Sequence, residues 1–254
     1  MSSLGSPLGP IRISQETTAM SPVNPVERFI HGHAYGPKGR DGMPRVRPFV
    51  TISRQAGAGG HSLASVLIER FHQEPDKEVF GDWDMFDQKL VAMVADDPDL
   101  RVSVEALLTE EYRRATDDFF RQLFTATTHQ DIVMDRVFRL VRVLAEVGKA
   151  VIVGRAGSEV TRGLGPSVSV RLIASKEVRL KRMMELHGVD ERKATELIDR
   201  SDSGRARLLK RHFRVDIDDP LLYDAVWNTG VVSFDAIAES MVALLRERAA
   251  RHSG

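Results

Sequence analysis

No cysteine occurs in the 254 residues, which excludes disulfides, thiolate nucleophiles and cysteine-ligated zinc. Net charge is also absent, with 36 Lys plus Arg balancing 36 Asp plus Glu. Bulk charge therefore gives no argument for nucleic acid or a membrane surface, and any anion site must be built from local charge. No apolar run approaches the roughly 20 residues that a spanning helix needs. The first 21 residues lack the basic-then-apolar order of a secretory signal. A cytoplasmic protein without membrane or nucleic-acid partners is the expectation. Hydrophobic residues, at 42%, suffice for a real core.

Residues 1–46 are rich in Pro, Gly and Ser and show no apolar periodicity, so they are expected to form a disordered arm. His31 and His33 lie in this arm without a second pair or carboxylate cluster to complete a metal site. A chain beginning near residue 45 is accordingly expected to melt as the full chain does. From residue 47 the pattern is that of an α/β domain reaching residue 254. Residues 49–52, 150–153, 168–174 and 223–227 read as buried strands, and residues 79–83 as a further one. Between them lie helical patterns. Leu63, Val66, Leu67 and Phe71 form one apolar face, and Val133, Val137, Leu140, Val141 and Leu144 another. Gly148 stops the second helix, while Ser175, Asp190 and Ser233 stand where later helices open. Strands alternating with helices imply a mainly parallel sheet covered on both faces.

The most informative segment is Thr51-Ile52-Ser53-Arg54-Gln55-Ala56-Gly57-Ala58-Gly59-Gly60-His61-Ser62. A strand, a glycine-rich turn and a helix start are the parts of a phosphate cradle, because amides converge on an anion and the helix terminus adds partial positive charge. Gly57, Ala58, Gly59, Gly60, His61 and Ser62 are the candidate contacts, with Ser62 also a candidate Mg²⁺ ligand. The segment departs from the G-x-x-x-x-G-K-[ST] pattern. With Gly59 as its second glycine, Arg54 takes the first glycine's place and Gly60 the lysine's. Arg54 is the candidate replacement for the missing cation.

This loop resembles that of the cytidylate kinase-like family, whose members often read I-S-R-x-x-G-S-G-G-R. Phe86-Asp87-Gln88-Lys89-Leu90 is similar to the family's segment after the second strand. Val151-Ile152-Val153-Gly154-Arg155 is similar to its V-I-V-G-R strand and turn. A longer likeness runs from Leu172 through Val178-Arg179-Leu180-Lys181-Arg182, Asp202, Arg205, Asp219-Pro220 and Tyr223-Asp224 to Asn228-Thr229. The resemblance implies a P-loop NTPase-type three-layer α/β fold with a central parallel sheet. It further implies a helical acceptor-binding insertion at about 86–147 and a basic lid at about 190–215. ATP and Mg²⁺ would be the cofactors, and a nucleoside monophosphate, CMP first, or a similar small molecule the acceptor. Arg54, Arg155 and Arg205 would serve transfer. Arg179 and Arg182 would contact the donor nucleotide, while Asp87, Arg155, Arg200 and Arg207 would face the acceptor.

The chain departs from true cytidylate kinases at Gln88, Lys89 and Met93, where their acceptor motif has Ser, Gly and Arg. Ala156 stands where a G-R-D turn has its carboxylate, and His61 where an Arg is usual. A nucleotide-binding module without catalysis is the alternative reading. Arg200, Arg205, Arg207, Lys210, Arg211 and Arg214 form a basic run in which 200, 207, 211 and 214 share one helical face, so part of it is expected to be solvated surface. Asp87 also suits the N-cap of a helix starting near Gln88.

Overall fold

The computed structural model describes residues 25–34, 47–87, 129–154 and 156–252. Five strands make one sheet: β1 (Phe49–Arg54), β2 (Asp84–Phe86), β3 (Ala150–Val153), β4 (Ser167–Ile173) and β5 (Ala225–Asn228). Their spatial order is β2-β3-β1-β4-β5, and every pairing is parallel. All strand carboxyl ends therefore open on one edge, where loops from distant parts of the chain meet.

The sheet's two faces are read from the period-two alternation of its strands. Val50 and Ile52 of β1, with Val151 and Val153 of β3 and Val168, Val170 and Leu172 of β4, pack under α2 (Gly60–Gln73) and the C-terminal α8 (Phe234–His252). On the other face Phe49, Ala150 and Ile152 pack under α4 (His129–Val147), whose Val137, Leu140, Val141 and Leu144 are buried. Helices on both faces cover the apolar side chains of the parallel sheet.

The later helices begin where the sequence places their caps. Ser175 Oγ accepts the Val178 amide at the start of α6 (Lys176–His187). Asp190 accepts the Lys193 amide at the start of α7 (Glu191–Phe213). Ser233 accepts the Ala236 amide before α8. Gly148, at φ +76°, follows α4. The basic stretch at 190–215 thus lies on one continuous helix, Glu191–Phe213, with Arg214 past its end at φ +60° and so not on the helical face that the spacing gave it.

Two sequence expectations are corrected. Residues 79–83 do not form a strand. Asp76 caps the one-turn helix α3 (Lys77–Phe80) by accepting the Val79 amide, and β2 starts at Asp84. Phe80 and Trp83 are buried as that turn's packing residues against Phe71, not as alternate strand positions. The second correction concerns residues 1–46, which are not arm throughout, because Pro25–Ala34 is a helix, α1. Val26, Phe29 and Ile30, at i, i+3 and i+4, are buried in the α4-side core, and Phe29 meets the Phe86 ring edge-on at 4.7 Å. His33 lies 2.9 Å from the Asp82 carbonyl, and Arg47 donates to the His33 carbonyl at 2.9 Å. Pro at the first helical position favours this start.

The expected insertion falls mostly on residues 88–128, outside the described residues. Ion pairs tie arginines down across the domain: Arg246 to Glu74, Arg248 to Asp224, buried Arg171 to Asp218, and Arg211 and Arg139 to α4 carboxylates. No helix among the described residues is long and apolar enough to cross a membrane.

Docking of α1 gives a direct test. Phe29→Ala is expected to lower unfolding stability by about 3 kcal/mol, the usual cost of emptying a buried aromatic site. Denaturant titration measures it, and a chain starting at residue 45 should melt below the full chain. Equal melting of all three proteins would show that α1 does not dock.

Candidate functional site

The turn from β1 into α2 is shaped by two glycines in the left-handed region, Gly57 at φ +79° and Gly59 at φ +87°. Neither has room for a side chain. A Cβ on Gly57 would lie 2.6 Å from the Arg179 carbonyl oxygen, and one on Gly59 would overlap the Phe234 ring. Both conformation and space therefore demand glycine.

The turn's carbonyls are held from outside. Arg179 donates to the Ala56 carbonyl at 3.3 Å and Arg182 to the Gly57 carbonyl at 3.4 Å. Thr229 donates to the Ala58 carbonyl at 2.9 Å. Arg182 is itself fixed by Thr229 Oγ1 and the Thr229 carbonyl, at 2.9 and 2.8 Å, and its guanidinium stacks over Phe234. A planar trans peptide points its N–H opposite its C=O, so anchoring these carbonyls turns the amides of Gly57 and Gly59 to the other side. The Ala58 amide closes a turn on the Gln55 carbonyl. No side chain caps α2, which leaves the first-turn amides at Gly60, His61 and Ser62 directed out of the helix. Outward amides at a helix terminus are the parts from which an anion cradle is built, and the turn is termed the cradle.

Arg54 lies across this cradle in a trough floored by two glycines. A Cβ on Gly60 would come within 3.1 and 3.2 Å of the Arg54 stem, and one on Gly154 would collide with its guanidinium. The arginine that ends β1 thus runs over the start of α2 to the turn after β3. A side chain at position 60 would press on its stem.

Beside it opens a cleft of about 320 Å³ between the carboxyl ends of β1 and β3 and helix α7; Ser53, Arg54, Gly154, Arg200 and Arg205 line it, with Leu209 and Ile217 on its apolar side. A polar stripe interrupts the sheet's alternation beneath. Thr51 donates to Ser169 Oγ at 2.9 Å, and buried Arg171 donates to Ser53 Oγ at 3.1 Å and to Asp218 at 2.6 Å. The Tyr223 phenol donates to the Ile217 carbonyl at 3.0 Å and lies 3.3 Å from Ser53 Oγ. Burial pushes that phenol above its ordinary range, against the opposing bond from Ser53 and charge of Arg171. It remains a protonated donor that fixes the Ser53 corner of the cleft.

The sequence-predicted residues divide by place. Gly57, Ala58, Gly59, Gly60, His61 and Ser62 form the cradle, while Arg54, Arg200 and Arg205 reach the cleft. Arg179 and Arg182 bind the cradle's outer side. His61 Nε2 lies 3.1 Å from Asp87 Oδ2, which joins the start of α2 to the end of β2. Arg207 is not among the cleft-lining side chains. Arg211 turns away to Asp131 of α4 at 2.8 Å, so part of the basic run braces the fold. Arg155, Gln88 and Met93 lie outside the described residues. Among the described residues, no group of three or more His, Cys, Asp or Glu side chains is placed to hold a metal.

Sequence reasoning gave no role to Asp202. Its carboxylate accepts the Ala56 amide at 2.8 Å, Arg179 at 2.6 Å and Arg205 at 2.5 Å. The i, i+3 spacing of Asp202 and Arg205 was the available signal. Thr229 lies in the segment that resembles the family but was given no role, and Phe234, which with it shapes the cradle from α8's side, was not singled out.

A parallel sheet of this order, a glycine cradle entering the helix after β1 and arginines facing it define a P-loop-type nucleotide-kinase-like α/β protein. A family model described as "Cytidylate kinase-like family" matches residues 49–231; the chain belongs to that family. It is by that membership kinase-like, of the class that transfers phosphoryl groups to small nucleotide-like acceptors. Among solved structures, an uncharacterized protein from Eubacterium ventriosum ATCC 27560 is 22% identical, with TM-score 0.56 over 80% of this chain and 100% of that one. Shikimate kinase from Bacteroides thetaiotaomicron is 14% identical, with TM-score 0.42 over 78% and 96%. TT1252 from Thermus thermophilus is 16% identical, with TM-score 0.40 over 80% and 98%. No curated protein matches the chain.

The packing at Gly59 makes a substitution there act on stability before any ligand is bound. Any side chain there strains φ and strikes Phe234, so Gly59→Ala is expected to lower stability without ligand by about 2 kcal/mol. Phe234→Ala in the same chain relieves the clash but not the φ strain, and should recover part of the loss. Thermal and denaturant melts of the two proteins check this. Unchanged stability in Gly59→Ala would mean that the turn adapts.

Proposed function

We propose that the chain transfers the γ-phosphoryl group of ATP to a nucleoside monophosphate, CMP first, or to a similar small acceptor. The observation that carries this reading is the meeting of the uncapped cradle with a cleft bearing Arg54, Arg200 and Arg205. Phosphoryl transfer asks mainly for positioning and for cations that neutralise charge spread over the moving group. In this reading the cradle at residues 57–62 holds the triphosphate through its amides other than that of Ala58, Arg54 supplies the charge that a lysine at position 60 would have brought, and Arg205 steadies the group in transit. Arg155 would join them, and Asp87, Arg200 and Arg207 would address the acceptor. Arg179 and Arg182 would serve the donor nucleotide by fixing the cradle.

Mg²⁺ bound with a triphosphate takes one or two protein oxygens and fills its shell with phosphate and water. The Ser62 hydroxyl, exposed in the first turn of α2, fits that modest requirement, so the lack of a carboxylate cluster is compatible with it. Bound there, Mg²⁺ would neutralise phosphate charge.

The Walker position occupied by Gly60 favours a second reading, a nucleotide-binding module without catalysis. Calorimetry with ATP and a turnover panel of Mg·ATP with nucleoside monophosphates separate the two. Transfer to CMP or a related monophosphate supports the kinase, and ATP binding without any transfer supports the module. Arg205→Ala is expected to cut kcat by about 10²- to 10³-fold while ATP affinity changes little, as for a cation acting on the transition state. Arg54→Ala should weaken ATP binding more than ADP binding. Equal losses for both nucleotides would remove Arg54 from the terminal phosphate.

A further inference from the structure

The carboxylate of Asp202 sits where an anionic ligand's oxygens would be welcome. It accepts the amide of Ala56, the residue just before the cradle, and one N–H from each of two guanidinium groups, Arg179 and Arg205, all within 2.8 Å. Backbone amide plus paired arginines is the donor set proteins use for phosphate. The carboxylate does not exhaust it. Arg179 Nε and Arg205 Nε are buried without a hydrogen-bond partner among the described residues, and a tetrahedral anion offers more oxygens than a carboxylate. Arg205 also lines the cleft, so one side chain belongs to both groups.

We propose that Asp202 is an internal stand-in for phosphate, holding α7 against the glycine cradle until a phosphate-bearing ligand displaces it from Arg205 and the Ala56 amide. This inference rests on the reading of the cradle as a phosphate site and adds its regulation. Ligand affinity is the difference between binding to free arginines and breaking their bonds to Asp202. A carboxylate within reach of the same donors therefore sets a threshold on phosphate binding. It also fixes the cradle in the ligand-free chain, since the Ala56 amide would otherwise be an unmet donor.

The sign of the effect is opposite to that of an ordinary ligand-contacting residue. Asp202→Asn keeps an oxygen for the Ala56 amide but removes the charge that competes for the arginines. In the full chain, with inorganic pyrophosphate as probe, no metal and fixed ionic strength, calorimetry should show binding about tenfold tighter than wild type, because the charge-assisted bonds to be broken are gone. The melting temperature without ligand should fall. Asp199→Asn, which removes a charge from the preceding turn of α7, should change binding less than about twofold, as expected for an exposed, screened group. Adding Arg205→Ala to Asp202→Asn should erase the gain.

Pyrophosphate binding that is unchanged or weaker in Asp202→Asn overturns the proposal, as does a gain that Asp199→Asn reproduces or that survives loss of Arg205. If Asp202→Asn does not fold, Asp202→Ser is judged by the same criteria. The measurement uses no nucleotide and no turnover. A wild-type chain that never transfers phosphate from ATP thus counts against the kinase reading alone, whereas the wrong sign at Asp202 counts against this inference alone. Absence of pyrophosphate binding in both proteins overturns both.

Discussion

Three carbonyl oxygens, those of Ala56, Gly57 and Ala58, are held by Arg179, Arg182 and Thr229. Most of the site depends on that grip. A glycine-rich turn is conformationally free, and freedom is costly wherever several amides must point at one place. Fixing the carbonyls fixes the peptide planes, so the cradle's shape is set by α6 and the β5–α8 connection before any ligand arrives. Preorganised dipoles of this kind need no rearrangement when charge develops, which is why they are effective in transfer reactions.

Helix α7 faces two ways. Leu209 packs into the α4-side core and Arg211 reaches Asp131 of α4, while Arg200, Asp202 and Arg205 face the cradle and cleft. A cation run that reads as one property in the sequence is thus split by helical geometry into a brace and a site. The polar stripe below, with Thr51, Ser53, Ser169 and Arg171, continues this division into the sheet. These positions give up hydrophobic burial on one face of β1 and β4, which the bonds to Asp218 and Tyr223 compensate.

Local signals were the legible ones. The strand at 150–153, the helix after the glycines and the caps at Ser175, Asp190 and Ser233 were all readable because each depends on a few adjacent residues. The α1 helix was hidden because Val26, Phe29 and Ile30 make a short inward stripe, set among Pro, Gly and Ser. Its stability comes from Phe86 and the α4 core, far along the chain. Trp83 misled for a similar reason: its indole donates to the Val79 carbonyl at 2.8 Å, closing a turn that mimics strand composition. At the site, the glycines and arginines were readable by type, but not which partner each arginine meets. Arg205 meets Asp202 at i, i+3 within α7, but that Arg179 joins them depends on how α6 and α7 fold back, and no spacing encodes it.

The trough that holds Arg54 also bears on how such a sequence can change over generations. On the role proposed for Arg54, the cradle's cation comes from the end of β1, and a side chain at position 60 would crowd its stem. Lysine introduced at position 60 with Arg54 retained would have to push that stem aside, and loss of Arg54 with Gly60 retained would remove the charge. Either first step would carry a penalty, crowding in one case and an empty charge site in the other. The strand-end arginine and the helix-start lysine would then be separate solutions, each favoured by the residue at its partner position.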